Sequence, residues 1–239
     1  MQIARVVLDY MVKYLASDHI VKYGRCMPSH PALSPPTLSP RAARTRRALI
    51  AAGFELLAEK PIDAIPIDEV VARASVAKGS FFNHFSDKAA FSSAIADEVR
   101  RELEDRITLA NAGVADPLVR LAGGMREGAL LALAQPKRTI VLLRSNASST
   151  LSSHPLNQGL VDDVDAALAA GLLRGAARKG GVLYWLGLCQ MLIANFVEER
   201  PDRDSARERL GSMLVLGLTG LGADPGQAEA IAEAACTAL

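Results

Sequence analysis

The side chains with the clearest chemistry lie in residues 67–88, which read IDEVVARASVAKGSFFNHFSDK. On a short helix over 78–84, Lys78 and Ser80 point outward and can hydrogen-bond to base edges or phosphates. Gly79 between them has no side chain, so a duplex backbone can approach closely. These residue types at this spacing predict recognition of a polyanion.

A run of basic residues precedes this segment. Residues 41–47 hold four cations and no acid, whereas residues 89–239 hold 15 Lys and Arg against 18 Asp and Glu. The formal net charge of the whole chain is only +1. Such a run is often just the solvated start of a helix, but its position beside the segment 67–88 favours contact with a polyanion.

The residue types that enzymes use form no constellation in the sequence. The four histidines lack metal-ligand spacing, and the acidic run 162–165 lacks the glycine and closing glutamate of a calcium loop. Cys26, Cys189 and Cys236 form no Cys-x-x-Cys pair, so neither a disulfide framework nor a zinc site is predicted. We therefore expect a protein without a cofactor that is not an enzyme, in a reducing cytoplasm.

The elements that must position the segment 67–88 are helical. Apolar residues before it recur on one helical face: Ile50, Phe54 and Leu57. Pro61 ends that helix, Pro66 opens a second one, and a third begins at Lys78 after a break at 75–77. This spacing predicts a helix-turn-helix motif, although the same outline occurs in helical proteins that do not bind DNA.

Beyond the motif the chain continues as helical stretches separated by breakers. A long helix runs from Lys88 to about Thr108, with Ser86-Asp87 as its cap. The later predicted helices are 116–134, 137–147, 155–173, 180–199, 204–221 and 226–238. The predicted fold class is all-α, with an amino-terminal three-helix helix-turn-helix domain and a larger helical domain behind it.

At residue level, positions 47–88 resemble the amino-terminal domain of the tetracycline-repressor (TetR) family. The resemblance is carried by Ala51-Ala52, by residues 55–60 and 70–74, and most specifically by the run Lys-Gly-Ser-Phe-Phe-x-His-Phe-x-x-Lys at 78–88. It implies a DNA-binding transcriptional regulator. The residues that would face the duplex are Arg41, Arg44, Arg46, Pro66, Ala77, Lys78, Gly79, Ser80, Phe82, His84 and Lys88.

Four positions depart from the family pattern. Ile65 stands where a threonine usually caps the second helix and touches a phosphate, and Phe82 stands where a tyrosine hydroxyl usually does so. Ser75 and Pro61 replace glycines, and Ser75 makes the turn costlier if its φ is positive. These departures predict weaker or differently placed contacts to the DNA backbone.

Residues 89–222 are too many for a DNA-binding module alone. The resemblance implies that they bind a small molecule and form a homodimer through the apolar helices 180–199 and 204–221. The alternative is that both helices are buried in one subunit. Glycines at 211, 217 and 220 would allow close helix approach. The predicted interface seams are Leu183, Leu186, Gln190, Ile193 and Val197, and Leu210, Met213, Leu214, Leu218 and Leu221.

The predicted ligand pocket lies among the helices between about 100 and 196. A mainly apolar wall suits a lipophilic or amphipathic effector, although most of the same residues also fit an ordinary core. We expect a repressor that binds palindromic operator DNA as a dimer and is released by this effector. The candidate wall residues are Leu103, Ile107, Leu121, Met125, Leu142, Leu168, Trp185, Met191 and Phe196.

The predicted domain boundaries follow from composition. Five prolines in 28–40 predict a linker, so residues 1–40 form a disordered or partly helical extension. The helix-turn-helix domain is 41–88, the ligand-binding and dimerisation domain 89–222, and a carboxy-terminal helix 223–239. Residues 180–197 carry no charge, which is near the lower limit for a membrane span; Gln190 and Asn195 favour a buried helix instead, and no membrane association is expected.

Overall fold

The computed structural model describes residues 39–144 and 153–237. In these ranges it contains α-helices, two short 3-10 helices at Ile62–Ala64 and Pro155–Asn157, and no strand. The predicted all-α class is confirmed. The α-helices are α1 (Pro40–Glu59), α2 (Ile67–Arg73), α3 (Lys78–Phe82), α4 (Lys88–Ala110), α5 (Pro117–Ala134), α6 (Pro136–Arg144), α7 (Gln158–Ala169), α8 (Ala177–Glu199), α9 (Arg203–Leu221) and α10 (Pro225–Thr237).

The helix boundaries differ from the sequence predictions mainly at one place. The stretch predicted as a helix over 155–173 is a 3-10 turn followed by α7, which ends at Ala169. Gly171 has a φ of +71°, a left-handed conformation that ends a helix. The predicted extension and linker over 1–40 lies outside the described residues except for Ser39 and Pro40. Residues 41–239 form one compact unit, so the boundaries at 88 and 222 stay predictions.

A triangle of aromatic rings anchors α3 to its neighbours. The Phe81 ring centroid lies 5.6 Å from that of Phe85 and 5.1 Å from that of Phe91, and the last two are 4.9 Å apart. All three side chains are buried. Gly53 on α1 leaves the room that the Phe91 ring occupies, since a β-carbon there would collide with it. Edge-to-face aromatic packing therefore fixes the orientation of a helix too short to be stable alone.

The amino-terminal cap of α4 agrees with its prediction from sequence. Asp87 adopts an extended backbone, and its Oδ1 accepts a hydrogen bond from the Ala90 amide at 2.7 Å. This bond satisfies one of the otherwise unpaired amides in the first helical turn. The long helix α4 thus begins at a defined residue directly after α3.

The turn between α2 and α3 is strained at one residue. Ser75 has a φ of +55°, the left-handed region that costs a residue with a β-carbon about 1–2 kcal/mol. Ser75→Gly should therefore raise the free energy of unfolding by about 0.5–1 kcal/mol, after the entropy that glycine gains in the unfolded chain is subtracted. Urea denaturation followed by circular dichroism measures this change. Ser75→Ala is the matched control, and an equal gain from alanine would contradict the backbone explanation.

The larger helical region packs around α5. Helix α5 begins at Pro117 after Asp116, whose carboxylate caps the Leu118 amide at 2.8 Å, and it contacts α4, α7, α8 and α10. Helix α10 lies along α9, and α9 lies beside α8. The fully buried side chains of this region include Leu118, Met125, Trp185, Leu210 and Leu214. Helices α4, α5, α7 and α8 also line the cavity described below.

Candidate nucleic-acid interface and internal cavity

Helix α3 buries one face and exposes the opposite one. Phe81 is fully buried, whereas Phe82 on the next position exposes 54% of its surface. Lys78 and Gly79 are exposed, and Ser80 and His84 are half-buried. Lys78 and Phe82 are therefore placed at the surface as predicted, and Ser80 and His84 are placed there in part.

An exposed ion pair holds Lys78 in the isolated chain. Its Nζ lies 2.8 Å from Oδ1 of Asp68 on α2, and both side chains are more than half exposed. Such an exposed pair contributes only about 0–1 kcal/mol to the free energy of unfolding, so Lys78 can exchange Asp68 for another acceptor at low cost. The sequence analysis did not identify Asp68 as part of this surface.

The basic run occupies the first turns of α1, where its arginines face different ways. Arg41, Arg44 and Arg47 are exposed at a spacing of three, which places them along one side of the helix. The Arg46 guanidinium lies 5.5 Å from the centroid of the buried Phe85 ring. Arg46 therefore packs α1 against the three aromatic rings through a cation–π contact. Arg47 is an exposed cation that was not among the predicted interface residues.

The remaining predicted interface residues lie at helix starts. Pro66 precedes α2 and Ala77 precedes α3, and both are exposed with extended backbones. Lys88 is half-buried, and its Nζ donates to the Asp63 carbonyl oxygen at 3.2 Å, which ties α4 to the 3-10 turn. Ile65, which is 1% exposed, is part of the core and has no access to a ligand.

An internal cavity of about 370 Å³ lies between α4, α5, α6, α7 and α8. Five of its apolar lining residues, Leu103, Ile107, Leu121, Leu142 and Trp185, had been predicted from the sequence. The prediction was wrong for the other four. Met125 and Phe196 are core residues, Leu168 packs against the core, and Met191 is 54% exposed.

The cavity also has polar lining that the sequence analysis missed. Arg100 Nε lies 2.8 Å from Glu104 Oε1, and Arg120 Nε lies 2.5 Å from Asp163 Oδ1. Burial raises the pKa of Asp163, although the hydrogen bond and charge of Arg120 oppose the rise. Burial also raises the pKa of the Cys189 thiol to about 12, so this thiol stays protonated at neutral pH. These residues come from four helices. Only Arg100 and Glu104, which are four positions apart on α4, could have been paired from a local sequence pattern.

Residues 49–95, which contain α2, α3 and the cap of α4, match the family model for bacterial regulatory proteins of the tetR family. Residues 49–95 are a DNA-binding region of the TetR type. The predicted resemblance of the amino-terminal region is confirmed, and the curated relatives that match it are transcriptional regulators.

Individual relatives resemble the chain in sequence over its amino-terminal region and in fold over most of its length. Over 71 residues, 30% of this chain and 32% of the relative, the sequence is 37% identical to transcriptional regulator AcuR of Cereibacter sphaeroides. The matched stretch thus spans about a third of the curated relatives. A tetR family transcription regulator from Shewanella sp. PV-4 has a TM-score of 0.65 at 16% identity, covering 74% of this chain and 97% of that one.

A ligand-bound relative has the same fold. FadR from Bacillus subtilis, whose crystal structure is a complex with stearoyl-CoA, superimposes with a TM-score of 0.58. The identity is 18%, and the match covers 73% of this chain and 98% of that chain. At this identity the likeness establishes the fold alone and nothing about the ligand of this chain.

Helices α8 and α9 share an exposed apolar face. We define the α8–α9 apolar face by Leu183 and Met191 on α8, Leu216 on α9, which are 59%, 54% and 62% exposed, and Tyr184, which is 39% exposed. Of the residues in the predicted seams, Leu183 lies on this face, but most of the others do not. Leu186, Ile193, Val197, Leu210, Leu214, Leu218 and Leu221 are buried within the subunit.

The glycines of α9 allow the close approach that was predicted, within one subunit. A β-carbon at Gly217 would lie 2.9 Å from Trp185, and one at Gly220 would collide with Tyr184. The Tyr184 hydroxyl instead donates to the Leu216 carbonyl oxygen at 3.2 Å. This packing leaves the α8–α9 apolar face exposed.

Among the described helices, α8 is long and apolar enough to cross a membrane by length and composition. A third of its most apolar window is buried within the chain. Trp185 and Phe196 pack in the core, whereas its exposed apolar side chains belong to the α8–α9 apolar face. The expectation of no membrane association stays a prediction.

One hydrogen bond links the cavity wall to the amino-terminal domain. Leu142 of α6 lines the cavity, and two residues later Arg144 Nη1 donates to the Leu57 carbonyl oxygen at 2.6 Å. Leu57 is in the last turn of α1, where carbonyl groups lack helical partners. Burial lowers the pKa of Arg144, but the guanidinium stays charged at neutral pH.

Arg144→Met should remove this link and retain most of the side-chain length. We expect the free energy of unfolding to fall by about 1 kcal/mol, because one charge-assisted and partly exposed hydrogen bond is removed. Denaturant unfolding checks the value. Lys137→Met, an exposed position on the same helix, is the control, and an equal decrease there would contradict a specific role for Arg144.

Proposed function

We propose that this chain is a transcriptional repressor that binds palindromic operator DNA as a homodimer and is released by a lipophilic small molecule. The observation that carries the proposal is the surface of α3, where Lys78, Gly79 and Phe82 project from a helix held by the buried Phe81. A short helix fixed in this way can enter a major groove and place its side chains against base edges and phosphates.

The exposed arginines of α1 support the same surface. Arg41, Arg44 and Arg47 add three positive charges along one side of the helix that packs behind the motif. Phosphate contacts from such residues position a protein on a duplex and make its affinity fall with salt. The rest of the chain carries little net charge, so the attraction to phosphates is limited to this end of the chain.

The α8–α9 apolar face supports a homodimer. Large apolar side chains at more than half exposure are costly in water, and two copies of the face can cover each other as a four-helix interface. A dimer presents two α3 helices, and two heads about 34–36 Å apart read successive major grooves of a palindrome. Repression by occupying such an operator requires the fewest further steps.

The cavity and α6 support control by a ligand. A molecule against Leu142 acts on the same short helix whose Arg144 holds the end of α1. A coupling free energy of about 1–3 kcal/mol between the cavity and the DNA-binding surface would change operator affinity about five- to 150-fold. Reciprocally, DNA would weaken binding of the ligand by the same factor.

The deciding experiment is fluorescence anisotropy with the DNA upstream of this chain's own gene, measured across a salt series. We expect sequence-specific binding whose log affinity falls linearly with log salt concentration. A scrambled duplex of the same length is the control. If the protein binds neither duplex at low salt, the proposed function is wrong.

Phe82→Tyr should tighten operator binding. A hydroxyl at this exposed position restores one hydrogen bond to a phosphate per half-site, each contributing about 0.5–1.5 kcal/mol. For a dimer this predicts about five- to 150-fold higher affinity in the same anisotropy assay. A tenfold decrease would instead show that the Phe82 ring makes an apolar contact that a hydroxyl disrupts.

A further inference from the structure

We propose that the cavity selects an uncharged, elongated ligand with an apolar body and a hydrogen-bonding group, and excludes carboxylates. The proposal deepens the ligand-binding part of the proposed function. It rests on how the charged groups of the cavity wall are paired. The wall contains two cations and three carboxylates, so its lining has a net charge of −1.

Both guanidinium groups of the wall already have carboxylate partners. Arg100 bonds to Glu104 at 2.8 Å and to the Asn157 side-chain oxygen at 2.7 Å. Arg120 bonds to Asp163 at 2.5 Å and to the carbonyl oxygens of residues 114 and 115 at 3.0 and 2.9 Å. An anionic ligand therefore meets no cation whose charge is uncompensated.

Displacing either internal carboxylate would be costly. The side chains of Arg120 and Asp163 are 23% and 16% exposed, so water screens their attraction weakly. If a ligand carboxylate took Arg120, the Asp163 carboxylate would remain desolvated and unpaired, beside Asp162 on the same helix. The raised pKa of Asp163 shows that its surroundings already disfavour the charge even with Arg120 present.

The distribution of the lining residues gives the ligand an elongated shape. Arg100 on α4 and Asn111, directly after the end of α4, line the two ends of a stretch that spans about 16 Å, with Leu103 and Ile107 between them. Gly124 on α5 faces this middle part, where a β-carbon would still lie 3.9 Å from Ile107. The cavity thus has an apolar middle and polar ends, which fits a medium-length chain with a neutral polar group.

Trp185 provides a direct signal for occupancy of the cavity. It is the single tryptophan of the chain, lines the cavity and is 2% exposed. Three probes with the same ten-carbon chain differ only at the head: 1-decanol, methyl decanoate and decanoate. In titrations followed by tryptophan emission at pH 7.5, we expect saturable changes with the two uncharged probes. Decanoate should bind at least tenfold more weakly.

Two variants test the reason for this selectivity. Gly124→Leu fills the apolar middle and should abolish the Trp185 response to all probes. Asp163→Asn frees the charge of Arg120 and should raise the affinity of decanoate relative to decanol at least tenfold. Circular dichroism establishes that each variant is folded, and Glu104→Gln offers the equivalent change at Arg100 if Asp163→Asn is not folded.

The outcomes separate the proposal from the proposed function. Decanoate binding as tightly as decanol to the wild-type chain, or no saturable change with either uncharged probe, overturns the proposal. A Trp185 response that Gly124→Leu leaves unchanged overturns it as well. If decanol binds in the cavity but does not release DNA, the ligand class stands and the effector role in the proposed function fails.

Discussion

Leu216→Arg should convert the protein from a dimer to a monomer and lower its affinity for a palindromic operator by at least about a hundredfold. Leu216 is 62% exposed on the α8–α9 apolar face, so an arginine there remains solvated in the monomer. In a dimer it would place two buried like charges near each other, a cost that apolar contacts do not offset. Without the second DNA-binding helix, the protein loses the gain in affinity of about 10²–10⁴ that comes from binding two half-sites at once.

Two measurements on the Leu216→Arg protein check this result. Sedimentation velocity gives the oligomeric state, and anisotropy with a full palindrome and with a single half-site gives the affinities. The half-site affinity should not change, because α3 is intact. Leu109→Arg is a matched control, since Leu109 is 78% exposed on α4, outside the α8–α9 apolar face. If Leu216→Arg remains dimeric, the proposed interface is wrong.

Lys78→Ala should weaken operator binding about thirtyfold or more. A good interaction with a base edge contributes about 1–3 kcal/mol, and a dimer loses it in both half-sites, which gives at least about 2 kcal/mol. The variant also leaves Asp68 without its partner at 2.8 Å, so an uncompensated carboxylate would face the DNA phosphates. Helicity and unfolding should not change, because the ion pair is exposed and contributes little to stability.

A double-mutant cycle separates these two contributions. The Lys78→Ala/Asp68→Ala protein should bind more tightly than Lys78→Ala alone, since the repulsive carboxylate is gone. In anisotropy across a salt series, the slope should decrease by about one for each phosphate that the protein no longer neutralises. Lys179→Ala, an exposed lysine at the start of α8, is the control. Unchanged affinity of Lys78→Ala would remove Lys78 from the interface.

The sequence determined the elements that depend on local physical chemistry. Pro61 and Pro66 fixed where α1 ends and α2 begins, because a proline lacks an amide donor and restricts its neighbour. Asp87 predicted the start of α4 through its capping side chain, and the run 78–88 predicted both α3 and the family. Ser75 was recognised as costly in a left-handed turn, and its φ of +55° meets that condition.

The tertiary structure decided which side of each long helix is exposed to solvent. Helix α8 is apolar on nearly every side, so periodicity could not distinguish the buried Leu186 and Ile193 from the exposed Leu183 and Met191. The same ambiguity explains why Met125 and Phe196, which are core residues, were predicted as cavity wall.

The polar part of the cavity likewise required the three-dimensional structure. Arg120 and Asp163 are 43 positions apart in sequence, and Arg100 meets Asn157 across 57 positions. Local sequence patterns predict helices and caps because the interactions that form them join residues only a few positions apart. The pairing of charges across α4, α5 and α7, and with it the preference of the cavity, depends on packing between helices that are distant in the chain.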